Sequence, residues 1–334
     1  MPFTCYRLPL SHTCQRLAHE LRFYNLEAPQ LDERLRPEPD YRLVLVGGTG
    51  PEAGPDCSQW LQCFDDKAGG WGRLQAMGID RPNGCGAAAV GTYLYAFGGE
   101  GDSVEEPESM TMYDMASRKM AEVATLPRVL SYCSGVACDG LVYSLGGMDV
   151  VLEECVADVC TYNPELDCWV LGLPLPFAVG GMAAVEHMGS IYVCGGEMAN
   201  DTRSATLLML DPRTRAYITL PTMPNPAAYA GAAVVAGRMY VPGGSGAASG
   251  AVSSLQCYDM AAGCWDTSCT TMAEARHSHG LAALHEEVWA VGGGHDGAAG
   301  RASVEVYSPR LNTWRAGVPL PHTCFNCTCV AVQR

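Results

Sequence analysis

Two stretches of this sequence carry residues whose types and spacing could do chemistry. Cys324-Phe-Asn-Cys-Thr-Cys329 crowds three thiols together and suggests a metal. A structural zinc site wants a second ligand pair at suitable spacing, and none follows. In an extended strand Cys327 and Cys329 point to the same face, where small residues are needed, so the segment reads as packing. Arg276-His-Ser-His279 offers two imidazoles without an evident third ligand, and reads as packing or partner contact. There is no Gly-x-Ser-x-Gly elbow and no phosphate-cradling loop. Gly292-Gly-Gly294 belongs to a repeated pattern described below. No catalytic residue, metal ligand or cofactor site is assigned, and the chain is not expected to be an enzyme.

The bulk composition narrows the choices. The 334 residues are 48% hydrophobic and 17% charged, enough to bury a sizeable core. The formal charge is −15 and no basic run exists. This argues against nucleic acid and anionic membranes, and favours basic partners. No apolar run approaches the roughly 18 residues that span a bilayer. Met1–Leu10 lacks the basic-then-apolar order of a signal peptide, so a cytoplasmic or nuclear location is expected. The 17 cysteines are odd in number and do not repeat cleanly. Most are read as small buried hydrophobes with reduced thiols. Asn200-Asp-Thr and Asn326-Cys-Thr match the glycosylation pattern but carry no weight without secretion.

The elements that position these residues follow from a repeat. Gly-Gly pairs begin at Gly47, Gly98, Gly146, Gly195, Gly243 and Gly292, spaced by 51, 48, 49, 48 and 49. Each ends a strand-like run, such as LYAFGG or IYVCGG. A second series has Phe64, Tyr113, Tyr162, Leu210, Tyr258 and Tyr307 in one position. Seven residues after each stand Trp71, Met120, Trp169, Tyr217, Trp265 and Trp314. Each unit reads as four short strands: a Gly/Ala/Val run, the run into Gly-Gly, one ending near the Tyr, and one beginning near the Trp. Four strands per unit of this length predict an all-β, six-bladed propeller. Trp169, Trp265 and Trp314 are expected to be buried in the seams between blades.

The double glycines with their spaced Tyr and Trp resemble the kelch family over about Tyr41 to Arg334. The resemblance implies a ring closed by mixing the two termini in one blade. The first unit lacks a Gly/Ala/Val strand before Leu43, and the chain ends with a spare one, Phe325 to Val332. Residues 41–334 are therefore read as the propeller. Residues 1–40 are read as a helical segment, Cys14 to Ala28, and a linker. That stretch is similar to the end of the BACK domain in BTB-BACK-kelch proteins, with a helical cap as the other reading.

In such a propeller the loops leaving the second strands and those entering the first strands converge on one mouth. In substrate-binding kelch domains this face grips a partner peptide. The residues placed there are Asn83, Glu100, Asp102, Tyr132, Asp149, Glu197, Tyr229, His277, His295 and Phe325. The resemblance implies a protein-binding module that recruits substrates to a cullin-RING ubiquitin ligase, with cullin bound only through a BTB domain. A cytoskeletal propeller, for example one binding actin, or a scaffold is the second reading. The acidic loops predict a basic partner peptide, and this chain by itself is expected to be monomeric.

Overall fold

The computed structural model describes residues 40–50, 59–77, 84–100, 110–248, 250–295 and 300–334. The helix expected at Cys14 to Ala28 lies outside these residues. No helical element occurs among the described ones. Asp40–Arg334 forms one compact unit.

The fold is all-β and built from antiparallel four-stranded sheets, one for each repeat. The second sheet is typical: Gly86–Val90, Tyr93–Phe97, Met110–Asp114 and Lys119–Val123, in that spatial order. The third runs from Ser134–Cys138 to Cys168–Leu171, the fourth from Ala183–His187 to Ala216–Leu220, the fifth from Ala233–Val235 to Cys264–Asp266, and the sixth from Gly280–Leu284 to Thr313–Ala316. The first sheet differs in connectivity. Its innermost strand is the C-terminal Thr328–Gln333, paired antiparallel with Tyr41–Val46 from Tyr41↔Gln333 to Val46↔Thr328. Trp60–Asp65 and Gly70–Ala76 complete it.

The innermost strands are small-residue runs such as GAAAV, so neighbouring sheets approach closely there. Thr328–Gln333 packs against Gly86–Val90, and each later innermost strand packs on the next. Gly280–Leu284 in turn packs against Thr328–Gln333. The hydrophobic core accordingly falls into six clusters, each shared by two adjacent sheets. In one, Leu43 and Leu45 of the first sheet meet Trp289 and Val304 of the sixth. Both faces of each sheet are thus buried, which no single unit could achieve.

The double glycines have a steric cause. Around Cys133, a Cβ on Gly98 would lie 2.6 Å from the Leu130 carbonyl oxygen and 3.1 Å from Cys133 Sγ. One on Gly147 would lie 2.8 Å from the Ser131 carbonyl oxygen. Both glycines have positive φ, 61° and 114°, so only glycine meets the conformational and the packing demand.

The spaced aromatics occupy the seams, with one correction. Tyr113, Tyr162, Tyr258 and Tyr307 are buried. Trp169, Trp265 and Trp314 are half-buried rather than buried. Each indole lies across a seam and donates to a carbonyl of the preceding sheet's trailing loop. Trp169 Nε1 reaches Ala124 O at 3.0 Å, Trp265 reaches Pro221 O at 2.7 Å, and Trp314 reaches Thr270 O at 2.9 Å. An indole that must carry its N–H to a loop carbonyl lies at the rim of the seam, where its ring keeps one edge in solvent.

Candidate functional site

The segments entering the innermost strands meet in a closed loop of hydrogen bonds. Tyr132 N donates to Gly84 O at 2.7 Å, Gly181 N to Tyr132 O at 2.9 Å, and Tyr229 N to Gly181 O at 2.6 Å. Ser278 N donates to Tyr229 O at 2.7 Å, Asn326 N to Ser278 O at 2.8 Å, and Gly84 N to Asn326 O at 3.2 Å. All six residues have positive φ, between 52° and 60°. A left-handed residue turns its N–H and carbonyl sideways along the ring while the chain passes through towards the strand. Tyrosine, serine and asparagine in this conformation carry a steric cost that the ring bonds must offset.

For five of the six ring members, the preceding residue pairs with the first residue after a double glycine. The pairs are Phe325 with Thr49, Ser131 with Met148, Gly180 with Glu197, Ala228 with Ser245, and His277 with Gly294. The loops expected to share one mouth are therefore joined at their bases by antiparallel bridges.

The ring's side chains are unevenly distributed. Gly84 and Gly181 present none, and a Cβ at either would lie 2.6 Å from the ring of Tyr132 or Tyr229 respectively. Each tyrosine thus lies back over the preceding glycine. The two rings meet edge to face, with centroids 5.2 Å apart. Asn326 Nδ2 donates to the Tyr132 hydroxyl at 3.2 Å. The Tyr229 hydroxyl donates to Glu197 Oε2. Glu197 Oε1 pairs with Arg203 at 2.6 Å, and the Arg203 guanidinium lies 5.9 Å over the Tyr229 ring. Burial first, and then the Glu197 carboxylate, hold the Tyr229 proton far above its usual range. Burial and Glu100 raise Tyr132 in the same direction. Both phenols are therefore neutral hydrogen-bonding groups, with no nucleophilic role at ordinary pH.

The other candidates divide by environment. Asp149 is buried at 4% exposure. Its Oδ1 accepts from the backbone of Val151 and Leu152, both at 3.0 Å, and Arg128 pairs with its other oxygen at 3.1 Å. It caps a turn, and its charge is neutralised. Glu197 is likewise engaged. Glu100 lies close enough to Tyr132 to act on its phenol. His277 Nδ1 is 3.1 Å from Ser278 Oγ, and His295 acts on Glu274. Phe325 is half-buried at its bridge. Asn83 and Asp102 lie outside the described residues.

Sequence reasoning missed Asn326, Ser278, Gly84 and Gly181. Their register was available, since each stands 48 or 49 residues from the next. Their types differ, however, and only the shared backbone conformation unites them.

The Arg276-to-His279 stretch is built inward. Arg276 is fully buried and donates to Gly292 O, Ser303 O and Glu305 Oε1, at 2.8, 3.0 and 2.8 Å. His279 is 5% exposed and neither ring nitrogen has a hydrogen-bond partner among the described residues. Burial, then Arg276 and His277, push its pKa down to about 3. Cys324 and Cys327 donate to the carbonyls of Gly47 and Val291. Among the described residues no three His, Cys, Asp or Glu side chains are grouped to hold a metal.

Comparison with known proteins agrees with this geometry. The family described as the KLHDC2/KLHL20/DRC7 Kelch-repeats domain matches residues 172–324. The solved structure titled "Structure of YjhT" superposes with a TM-score of 0.69, at 15% identity, over 82% of this chain and 94% of that one. It shows the fold alone, a kelch-type β-propeller architecture. Kelch-like protein terF of Aspergillus terreus is 26% identical over 256 residues, 70% of this chain and 56% of that protein. Human Kelch-like protein 33 is 32% identical over 214 residues, covering 59% and 39%. Human Kelch repeat and BTB domain-containing protein 13 is 27% identical over 236 residues, covering 69% and 50%. The chain is similar to kelch-like proteins through its kelch repeats. It spans about half the length of these relatives or less.

Proposed function

We propose that the six sheets are blades of one propeller closed by the C-terminal strand, and that its mouth holds a segment of a partner protein. The observation that carries this reading is the hydrogen-bonded ring with its tyrosine pair. Two half-buried aromatic rings beside Asn326, Ser278 and the Glu197–Arg203 pair combine apolar area with fixed donors and acceptors, the composition of protein-binding hot spots. Holding such residues in a strained conformation is a feature of binding sites.

The partner segment is basic. The loops of the second to fourth blades are acidic in sequence, while those of the fifth and sixth are mostly Gly, Ala and Ser. Arg128 and Arg203 neutralise Asp149 and Glu197, so fewer carboxylates face a partner than the sequence alone suggests. Glu100, whose charge acts on the Tyr132 phenol, is the carboxylate assigned to this selection. In the whole gene product, the propeller selects substrates for a cullin-RING ubiquitin ligase. Support comes from the relatives, which extend well beyond the matched region and include one named for a BTB domain.

A peptide array probed with the purified chain tests the binding reading. Lys/Arg-bearing peptides are expected to be enriched, and Tyr132→Ala or Glu100→Lys is expected to weaken their capture about tenfold or more while the fold is retained. Enrichment of acidic peptides, or indifference to both substitutions, would overturn it. Asp149 is unsuited to this test, because replacing it removes a turn cap and a buried ion pair. The ligase role is tested separately, by following the half-life of a captured partner after depletion of the full-length product. An unchanged half-life would favour a scaffold.

A further inference from the structure

Cys257 and Cys269 sit in the seam between the fifth and sixth sheets. Cys257 is a fully buried residue of the strand Leu255–Asp259, paired with Tyr240 on one side and Asp266 on the other. Cys269 follows the outer strand Cys264–Asp266 and packs, half-buried, on the same core cluster.

The segment carrying Cys269 is clamped on both sides. Asp266 Oδ1 accepts from Ser268 N at 2.8 Å, turning the chain back towards the sheet. Asn312 Nδ2 donates to Ser268 O at 3.3 Å, and its Oδ1 accepts from Thr270 N at 2.9 Å. Trp314 Nε1 then fixes Thr270 O. With residues 268 and 270 both held by the next sheet, Cys269 is turned onto the seam. There it packs on the core cluster that holds both Cys257 and Tyr307.

The repeat supplies an independent check of this contact. In other sheets the residue before the carbonyl that receives the next sheet's aromatic is Val123, Gly172, Leu220 or Gly317. The residues matching Cys257 are Met112, Thr161, Met209 and Val306. A Cβ on Gly317 would lie 3.2 Å from Val306 Cγ2, and one on Gly172 would lie 3.9 Å from Thr161 Oγ1. These two positions touch by construction of the blade. Of the five pairs, Cys257 and Cys269 alone place a thiol at both.

We propose that Cys257 and Cys269 are a disulfide-forming pair, oxidised by a low-molecular-weight disulfide such as oxidised glutathione. The Cys269 thiolate attacks one sulfur of that disulfide, breaking its S–S bond and releasing one glutathione thiolate, which takes up a proton. The Cys257 thiol then loses its proton and attacks the Cys269 sulfur, and the second glutathione leaves. Two protein thiols are oxidised to one disulfide, and one glutathione disulfide is reduced to two thiols. Cys269 is assigned the first attack because it is the more exposed of the two. Burial pushes the Cys257 thiol up to about 12, which makes the second step the slower one, with a mixed disulfide on Cys269 as the intermediate that precedes the cross-link. The product joins the middle of the fifth sheet to the loop that Trp314 and Asn312 hold, and so braces that seam.

The test uses the full chain incubated with oxidised glutathione, quenched in acid, alkylated and digested with chymotrypsin. Cleavage after Tyr258 and Trp265 separates Cys257, Cys264 and Cys269. A Cys257–Cys269 cross-linked peptide is expected, reversed by dithiothreitol. In Cys257→Ser, glutathione should accumulate on Cys269 instead. The exposed Cys264 serves as the comparator, taking glutathione without cross-linking. The oxidised chain should melt about 2–4 °C higher than the reduced one, the shift that roughly 1 kcal/mol gives a large domain. Cys269→Ser should abolish both the cross-link and the shift. Recovery of both cysteines alkylated after oxidation, or a bond from Cys257 to Cys264, would overturn the proposal.

Discussion

At the scale of single residues, the entry to the sixth sheet departs from its siblings. Where the other sheets place Cys85, Cys133, Met182, Ala230 and Cys327, the sixth sheet's entry has His279. Where they place Leu130, Val179, Ala227 and Cys324, it has Arg276. The Arg276 Nη atoms are bonded to carbonyls and carboxylates, whereas its Nε and both His279 nitrogens have no hydrogen-bond partner among the described residues. Its folded pKa of about 3 lies below the ordinary 6.5, because a buried imidazolium beside Arg276 is disfavoured. The unfolded chain therefore binds more protons between those values. The stability that neutral His279 permits is fully present above pH 6.5 and is lost as pH falls towards 3. The slope should be about 1.4 kcal/mol per pH unit for this one group. His279→Met, copying the fourth sheet, should flatten that part of the urea-unfolding profile. An unchanged pH dependence would show that the ring is solvated in the folded state.

At the scale of elements, the seams are built from a buried tyrosine or its substitute, and Trp71, Trp169, Trp265 and Trp314 each reach from the rim back one sheet. The expectation of full burial for Trp169, Trp265 and Trp314 was wrong in degree and right in place. A tryptophan seven residues after the tyrosine sits opposite it in the register, as Tyr258↔Trp265 and Tyr307↔Trp314 show. Opposite residues share a face, so both rings enter one seam, with centroids 5.1 Å apart in either pair. Trp265→Phe keeps most of the ring and loses the bond to Pro221 O, and should cost about 1 kcal/mol in equilibrium unfolding. Trp265→Ala should cost about 2–3 kcal/mol, at or below the lower end for fully buried aromatics. Equal losses for the two variants would mean that the hydrogen bond, and not the ring, carries the seam.

At the scale of the whole molecule, the proposed closure rests on one strand. Thr328–Gln333 makes the whole antiparallel ladder to Tyr41–Val46 and packs on both neighbouring innermost strands. Asn326, just ahead of it, supplies one link of the hydrogen-bonded ring. Truncation after Leu320 removes the strand, the link and the buried Cys324, Cys327 and Cys329 together. It should leave Tyr41–Val46 as an unpaired hydrophobic edge, which invites aggregation. A large drop in melting temperature with aggregation is expected by light scattering. A truncated chain that melts like the intact one would show that the ring does not depend on this strand.

The sequence by itself determined the class of fold, because a propeller blade needs close backbone approach and buried aromatics at fixed places, and those demands recur in plain view. The Gly98 and Gly147 positions, the Tyr258–Trp265 offset and the spare C-terminal strand were all legible for that reason. It also brought Tyr132, Tyr229, His277 and Phe325 to one end of the molecule, since strand direction decides which loops share a mouth. What only the tertiary structure decided was the state of those residues. Nothing local to Asp149 announces that Arg128 neutralises it, or that Tyr229 joins Arg203 on Glu197, because Arg128 and Tyr229 come from other loops. The ring of Gly84, Tyr132, Gly181, Tyr229, Ser278 and Asn326 is defined by a shared backbone conformation and not by residue type. Such a conformation exists only once every blade holds its neighbour's N–H and carbonyl in place.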